Sequence, residues 1–398
     1  MATANEELLD AVLRHQIGLL RFSGGLRNRV FEILDATEAD LGAQIRRRLD
    51  GVRGLDRPAS VRRMQRLVKV LSATRLTAWK DVTALWLSEL SDLMVGESIS
   101  AKNIVNTVSP VVLQTSLPPT GLLKSLARTQ PFEGKILRDW AGTVRDADID
   151  RISRQVQIGM VQGEPPRRIA SRVVGTVRLK GADGVTEITR RQAAAITRTA
   201  VNAFSNQARR SFLRENSSVF SEEAYVATLD SRTTPICRAL DGKRYPVGEG
   251  PIPPRHFNCR STRVGVLNGE VLGKRPSKPT TERELLREYT EKNKLSGVSR
   301  RADLPYGTKG KFDQFSRARV RELTGRVPAK VNYQEWLGRQ SYQFQNDVLG
   351  VNRARLFRDG KVPLDRFVDK SGRQYTLAEL ARRDRQAFLD AGLDPAGF

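Results

Sequence analysis

Both cysteines of this 398-residue chain, Cys237 and Cys259, and one of its two histidines, His256, fall within 23 positions. Thiolate and imidazole are the side chains that borderline-soft metals prefer, and a His-x-x-Cys pair offers two such ligands from one tight loop. Three chemistries are open to the trio. A tetrahedral zinc site would need a fourth ligand, for which Asp230 and Asp241 are the nearby candidates. A Cys237–Cys259 disulfide would bridge the two loops, although a reducing cytosol disfavours it. Alternatively, the thiols are small buried hydrophobes and His256 bonds to backbone. In each case the three residues should converge, with the cysteine Cα atoms within about 10 Å.

The elements that must position them are readable locally. Residues 224–229 alternate and carry β-formers, which predicts a strand. Asp241-Gly242 is a hairpin signal, because a type I′ turn needs positive φ at both central residues. Residues 260–267 alternate again and should close a small sheet. Pro251, Pro253 and Pro254 impose an extended approach to His256 and cannot lie within a central strand. The sheet is expected to pack on a preceding helix through Ile196, Ala200 and Phe204.

The order of residue types in this stretch carries a resemblance. Asp230, Ser231, Arg232, Thr233, Thr234, Pro235, Ile236 and Cys237, then Asp241-Gly242, then Pro253, Pro254, Arg255, His256, Phe257, Asn258, Cys259 and Arg260, resemble the signature of phage head morphogenesis proteins of the Mu F-like type. That family often has Cys-x-x-Cys followed by His-x-x-Cys-Arg-Cys. Thr234 and Ser261 stand here where the first and last thiols would be. The tail is similar to the family too, in Trp336-Leu337 with Gln340, in Val348-Leu349-Gly350, and in Leu356-Phe357 with Gly360. The resemblance spans residues 135–398. It implies a minor head protein made in the host cytoplasm and placed inside the virion near the portal. Such a protein acts in head assembly and in genome packaging or ejection. The implied partners are the portal protein, the major capsid or scaffolding protein, and double-stranded genomic DNA without sequence preference.

Charge agrees with a polyanionic partner. Residues 1–150 hold 21 basic and 18 acidic side chains, a net of +3, whereas residues 151–398 hold 47 and 26, a net of +21. Of the 68 basic residues 52 are Arg, the side chain suited to bidentate phosphate contact. Aromatics make up only 6% of the chain and are scattered, which argues against a base-stacking platform. Arg190, Arg198, Arg209, Arg210 and Arg214, with Lys274 and Arg275, are the candidate DNA contacts, a solvated face being the alternative for the first five. No run of 18 apolar residues exists, so no membrane span or membrane partner is expected. The N-terminus lacks the basic start and apolar core of a signal peptide.

The fold class expected is α+β and predominantly helical, with long N-terminal helices, a small Cys/His β-module, and an extended C-terminal arm with helices. The regions are 1–110, 111–220, 221–269 and 270–398. A helical stripe over residues 6–20 should end at Gly24-Gly25. A second helix should carry Leu26 to Leu49, and a third should start at Asp56 and Pro58. Residues 109–121 read as a loop, 134–160 as a helix, 169–174 as a short helix, and 179–184 as a loop or small hairpin. Thr189 and Gln192 read as a capping box opening the next helix. Beyond it come a basic proline-rich linker at 273–279, a charged helix at 283–294, an extended arm at 299–312, helical segments over 332–349, and a final helix at 376–391. His15 has no second ligand near it and reads as a satisfied histidine.

Three functional classes fit in part. The first is a non-catalytic assembly protein. The second, a metal-dependent nuclease or DNA-processing enzyme, needs a general base besides its metal ligands. With His256 as a ligand only His15 remains, and no second HNH-like histidine, paired acidic metal site or glycine-rich phosphate loop is present. A host-directed nucleic-acid-binding effector fits the charge but not the head-protein signature.

Overall fold

A computed structural model describes residues 4–52, 57–109, 113–267 and 274–398. The N-terminal half is a helical assembly of α1 (Ala4–Ala36), α2 (Glu38–Leu49), α3 (Pro58–Val108), α4 (Thr120–Thr129), α5 (Leu137–Val161), α6 (Pro166–Val174) and α7 (Thr186–Glu215). Then come β1 (Phe220–Val226), β2 (Leu229–Asp230), α8 (Pro235–Leu240), β3 (Arg244–Pro246), β4 (Thr262–Leu267) and β5 (Lys274–Lys278). The remainder is α9 (Glu282–Lys292), α10 (Lys309–Leu323), β6 (Gly325–Pro328), α11 (Tyr333–Gly338), α12 (Tyr342–Leu349), α13 (Val351–Arg358), α14 (Leu377–Arg383) and α15 (Arg385–Asp390). The α+β, predominantly helical class is as expected. Asp56, Pro110 and Gly273 lie outside the described residues.

Helix α3 has 51 residues, roughly 76 Å at 1.5 Å per residue, and the other long helices pack along it. Its Trp79, Val82, Trp86 and Leu90 meet Leu19, Leu26, Val30 and Leu34 of α1 and Ile196, Ala200 and Phe204 of α7 in one core. This shared core explains why Gly24-Gly25 does not end α1, contrary to expectation. The apolar stripe continues on both sides of the pair, and burying it offsets about 1 kcal/mol per interior glycine. The break falls at Thr37, whose hydroxyl donates to the Leu34 carbonyl at 2.7 Å. Helix α4 went unread because its buried stripe is only Leu123 and Ala127. His15 bonds to the buried Glu97, as a satisfied histidine should.

Two polar readings change. Helix α7 begins at Thr186, so Thr189 and Gln192 lie inside it and form no capping box. The Thr189 hydroxyl donates to Asp148 at 2.6 Å, and Gln192 accepts from Arg151 at 2.9 Å, so the pair ties α7 to α5. Residues 179–184 form turns without a hairpin, following a 3-10 turn at Val177–Leu179. A Cβ on Gly184 would stand 2.3 Å from the Gly175 nitrogen, so only glycine allows this approach.

The C-terminal region departs further from its reading. Residues 274–278, read as a linker, form the middle strand of a second sheet ordered β2-β5-β6. Strand β2 pairs only with Ser277 and Lys278, so Pro276 is not flanked on both sides and its missing N–H is tolerated. The expected extended arm is instead a 3-10 turn at Arg301–Asp303 leading into α10. Leu304 and Phe312 bury against Leu285, Leu286 and Tyr289 of α9, and the aromatic stripe runs on through Phe315, beyond the stretch read as arm. The final helix is two, broken at Asp384, which caps α15 by accepting the Ala387 N–H at 3.1 Å.

Asp148 joins three helices. It accepts from Arg75 of α3 at 2.7 Å, from Trp79 of α3 at 3.0 Å and from Thr189 of α7. Both ions are 1% exposed. Replacing Asp148 with Ala strands a buried guanidinium and should cost about 3–5 kcal/mol. Urea denaturation measures this against Asp139→Ala at an exposed position, and a loss for Asp148→Ala equal to that control would refute the role.

Candidate metal centre

The first sheet is ordered β3-β1-β4, all antiparallel, with Tyr225 opposite Arg263. Strand β1 lies upstream of the expected 224–229, and residues 229–230 leave to join the other sheet. Asp241-Gly242 is a turn but not a hairpin. Asp241 has φ −59° and ψ 131° and Gly242 has φ 79°, a type II turn joining α8 to β3. The short helix α8 precedes this turn, where a hairpin would need a strand.

The sheet does pack on α7, through a different face from the one expected. Ile196, Ala200 and Phe204 point into the helical core. The β-module meets Asn202, Asn206, Phe212 and Leu213. Asn202 donates to the Cys259 carbonyl at 2.7 Å, and Asn206 accepts from the Arg263 N–H at 3.0 Å and from the Thr262 hydroxyl at 3.1 Å. Strand β4 is an edge, and its free N–H needs a partner, which a polar helix face supplies. Apolar periodicity does not report that face.

Cys237, His256 and Cys259 converge as expected. Cys237 sits on α8, and its sulfur is 3.7 Å from Cys259 Sγ and 3.3 Å from His256 Nε2. The three donor atoms lie within 4.8 Å of one another, so the group could hold a metal ion, and both cysteines are free thiols. His256 Nδ1 donates to the Phe257 carbonyl at 2.8 Å, which leaves the Nε2 lone pair facing the sulfurs. The hydrogen bond from Cys259, together with those of His256, Ser261 and Tyr225 and against the effect of burial, pulls the Cys237 thiol far down. Cys259, donating to Cys237 and buried, is pushed up. Burial disfavours the charged His256, but the hydrogen bond and negative charge of Cys237, the Phe257 carbonyl and Glu133 outweigh it and raise its basicity. Without metal these shifts favour a thiolate on Cys237, a neutral thiol on Cys259 and the charged form of His256.

Neither Asp230 nor Asp241 supplies the fourth ligand, because arginines take both. Arg260 grips Asp230 at 2.6 and 2.8 Å, and Asp241 accepts from Arg275 at 2.5 Å and from the Tyr333 N–H at 2.7 Å. Two residues at the centre escaped the sequence reading. Tyr225 places its hydroxyl 3.3 Å from Cys237 Sγ. Glu133, at φ 48° on the tight turn between Phe132 and Lys135, acts on His256 by charge, and burial raises its own carboxyl. Nothing in their spacing marks them.

Of the candidate DNA contacts, Arg190 is held by Asp35 and Glu38, Arg209 is buried beside Glu97, Arg210 donates to the Gly248 carbonyl, and Arg275 is buried on Asp241. Arg198, Arg214 and Lys274 are exposed.

A helical body carrying a small β-module with a Cys/His cluster is the class that fold and site define. Residues 150–264, running from α5 through β4, match the family described as Phage Mu protein F like protein. The resemblance read from the motif therefore holds over this stretch, less than a third of the chain, and it suggests a phage head morphogenesis protein. The tail elements lie outside the matched residues. No curated protein and no solved structure matches the chain.

With only two histidines, His256 can be titrated by NMR in metal-free protein. Its midpoint should lie above the usual value of about 6.5 and fall in Cys237→Ala, where only the Phe257 carbonyl and Glu133 are left to oppose burial. A raised histidine pKa stabilises the fold below the unfolded value, and that contribution is lost as pH rises through the folded one. An unchanged midpoint in Cys237→Ala would show that the two groups are not paired.

Proposed function

We propose that this chain is a non-catalytic minor head protein of a tailed phage, lying inside the capsid by the portal and contacting packaged DNA through its phosphates. The observation that carries the reading is the Mu F-like segment set in a region of net charge +21. Exposed Arg198, Arg214 and Lys274 supply part of the positive surface. Among the described residues no helix is long and apolar enough to cross a membrane, in keeping with a virion component.

Zinc is the metal that suits the trio. Two Zn–S bonds of about 2.3 Å meeting at the tetrahedral angle hold their sulfurs about 3.8 Å apart. The Cys237–Cys259 separation of 3.7 Å fits this, and it is far beyond the ~2.05 Å of a disulfide. With Thr234 and Ser261 in place of thiols, three protein ligands remain and a fourth position stays open. That open position favours a second reading, a metal-dependent nuclease, in which Glu133 would be the base. A nuclease assay with added divalent metals separates the two, since turnover lost in Glu133→Gln or His256→Ala would replace the first reading by the second.

If about six phosphates are neutralised, affinity for random duplex DNA should fall on the order of a thousandfold between about 50 and 200 mM salt. Salt-insensitive binding would refute phosphate contact. Metal analysis should find zinc in the purified protein and none in Cys237→Ala. Equal zinc in both would place the metal elsewhere.

A further inference from the structure

Beside the Cys/His centre, between α1, α7 and the loop ending at Arg260, lies a cavity of about 390 Å³. Arg198, Arg232 and Arg260 line it, and no carboxylate does. The buried Asp230 is already gripped by both terminal nitrogens of Arg260 and stands 3.8 Å from Arg232 Nε. Arg198 makes no hydrogen bond or ion pair among the described residues. Burial, and then the charges of Arg27 and Arg232, lower its affinity for its proton. Lys278 behind the cluster is lowered in the same way, by burial and by Arg232. Thr234 lines the same wall, and its hydroxyl oxygen is buried without a partner.

Three arginines lining one hollow, with one shared carboxylate, leave a positive excess that favours a bound anion. Their flat donor forks match the oxygens of a tetrahedral oxyanion, and the bidentate Arg260–Asp230 pair holds one fork fixed before anything binds. We infer that this cavity is a phosphate-binding subsite in which Arg198, Arg232 and Arg260 donate to the oxygens of one phosphate group. Its assignment to DNA, as a backbone phosphate, rests on the function proposed above. Free phosphate is the other source of the same chemistry.

Two arms of one experiment decide. Inorganic phosphate is titrated by calorimetry into the full chain, into Arg198→Gln/Arg232→Gln, and into Arg191→Gln, an exposed arginine of the same helix outside the cavity. Arg198 makes no ion pair among the described residues, Arg232 only the 3.8 Å contact with Asp230 from a side chain that is mostly exposed, and melting temperature verifies the fold. Phosphate should bind the parent and the control alike and bind the double variant at least about tenfold more weakly. Absence of binding by the parent, or equal binding by the double variant, overturns the subsite. A short random duplex is then followed by fluorescence anisotropy. A parallel loss of duplex affinity in the double variant assigns the subsite to backbone phosphate. Duplex binding that ignores the substitutions, with phosphate binding lost, assigns it to free phosphate. Duplex binding by no variant removes the DNA reading and leaves the phosphate site standing.

Discussion

The carboxylate of Asp241 holds the β-module to the rest of the chain. One oxygen accepts the Ala227 N–H at 2.7 Å, while the other accepts Arg275 and the Tyr333 N–H. These donors come from the link between the two sheets, from β5 and from the start of α11. Burying a carboxylate and a guanidinium costs several kcal/mol per ion, so the arrangement persists only because its lone pairs are filled. Asp230 works alongside it, since its carbonyl accepts the Tyr333 hydroxyl at 2.7 Å while its side chain holds Arg260. Between them the two aspartates bracket α8, and α8 carries Cys237. The position of the Cys/His centre is therefore set by ion pairs around it.

That division of labour decides what was legible in the sequence. Cys237, His256 and Cys259 stood out because their types are rare in this chain, and their convergence followed from chain order. The two aspartates were equally visible but were assigned to the wrong neighbours. Their arginine partners lie 30 and 34 residues away, with no spacing rule to link them. Long amphipathic helices were readable in the same sense. Their ends were not, because Gly24-Gly25 is a stop signal only when the stripe beyond it has nothing to bury against. Polar docking was the blind spot, as with Asn202 and Asn206 on β4 and Thr189 on Asp148. A polar residue facing a strand edge looks, in sequence, like one facing water.

The same limit applies to charge. The excess beyond residue 150 is real, but arginine serves two purposes here. Arg190, half-buried, and the buried Arg209 and Arg275 are held against acids and stiffen the fold, and Arg198, Arg214 and Lys274 are exposed. Composition gives the size of the field, while its direction depends on which cations lack an acid. Arg198 is such a cation, Arg232 shares its one acid, Asp230, with Arg260, and both sit beside the Cys/His centre, so the positive surface and the motif meet in one place.

The centre itself reconciles packing with metal binding, which at first look like rivals. Without an ion, Cys237 takes hydrogen bonds from Cys259, His256 and Tyr225, and negative charge on its sulfur favours the charged form of His256. The three donors thus stay close with no metal to gather them, so their convergence is not by itself evidence of one. A metal would take up the same lone pairs and release the protons that His256 and Cys259 hold, so its affinity must weaken as pH falls. Thr234 and Ser261 sharpen the point. Hydroxyls there cannot act as soft ligands, yet Ser261 still lowers Cys237, so the replacement keeps the sulfur charged while giving up ligands. A site with fewer ligands and an internal counter-charge binds metal more weakly than a full thiolate set, and it keeps its shape when the metal leaves.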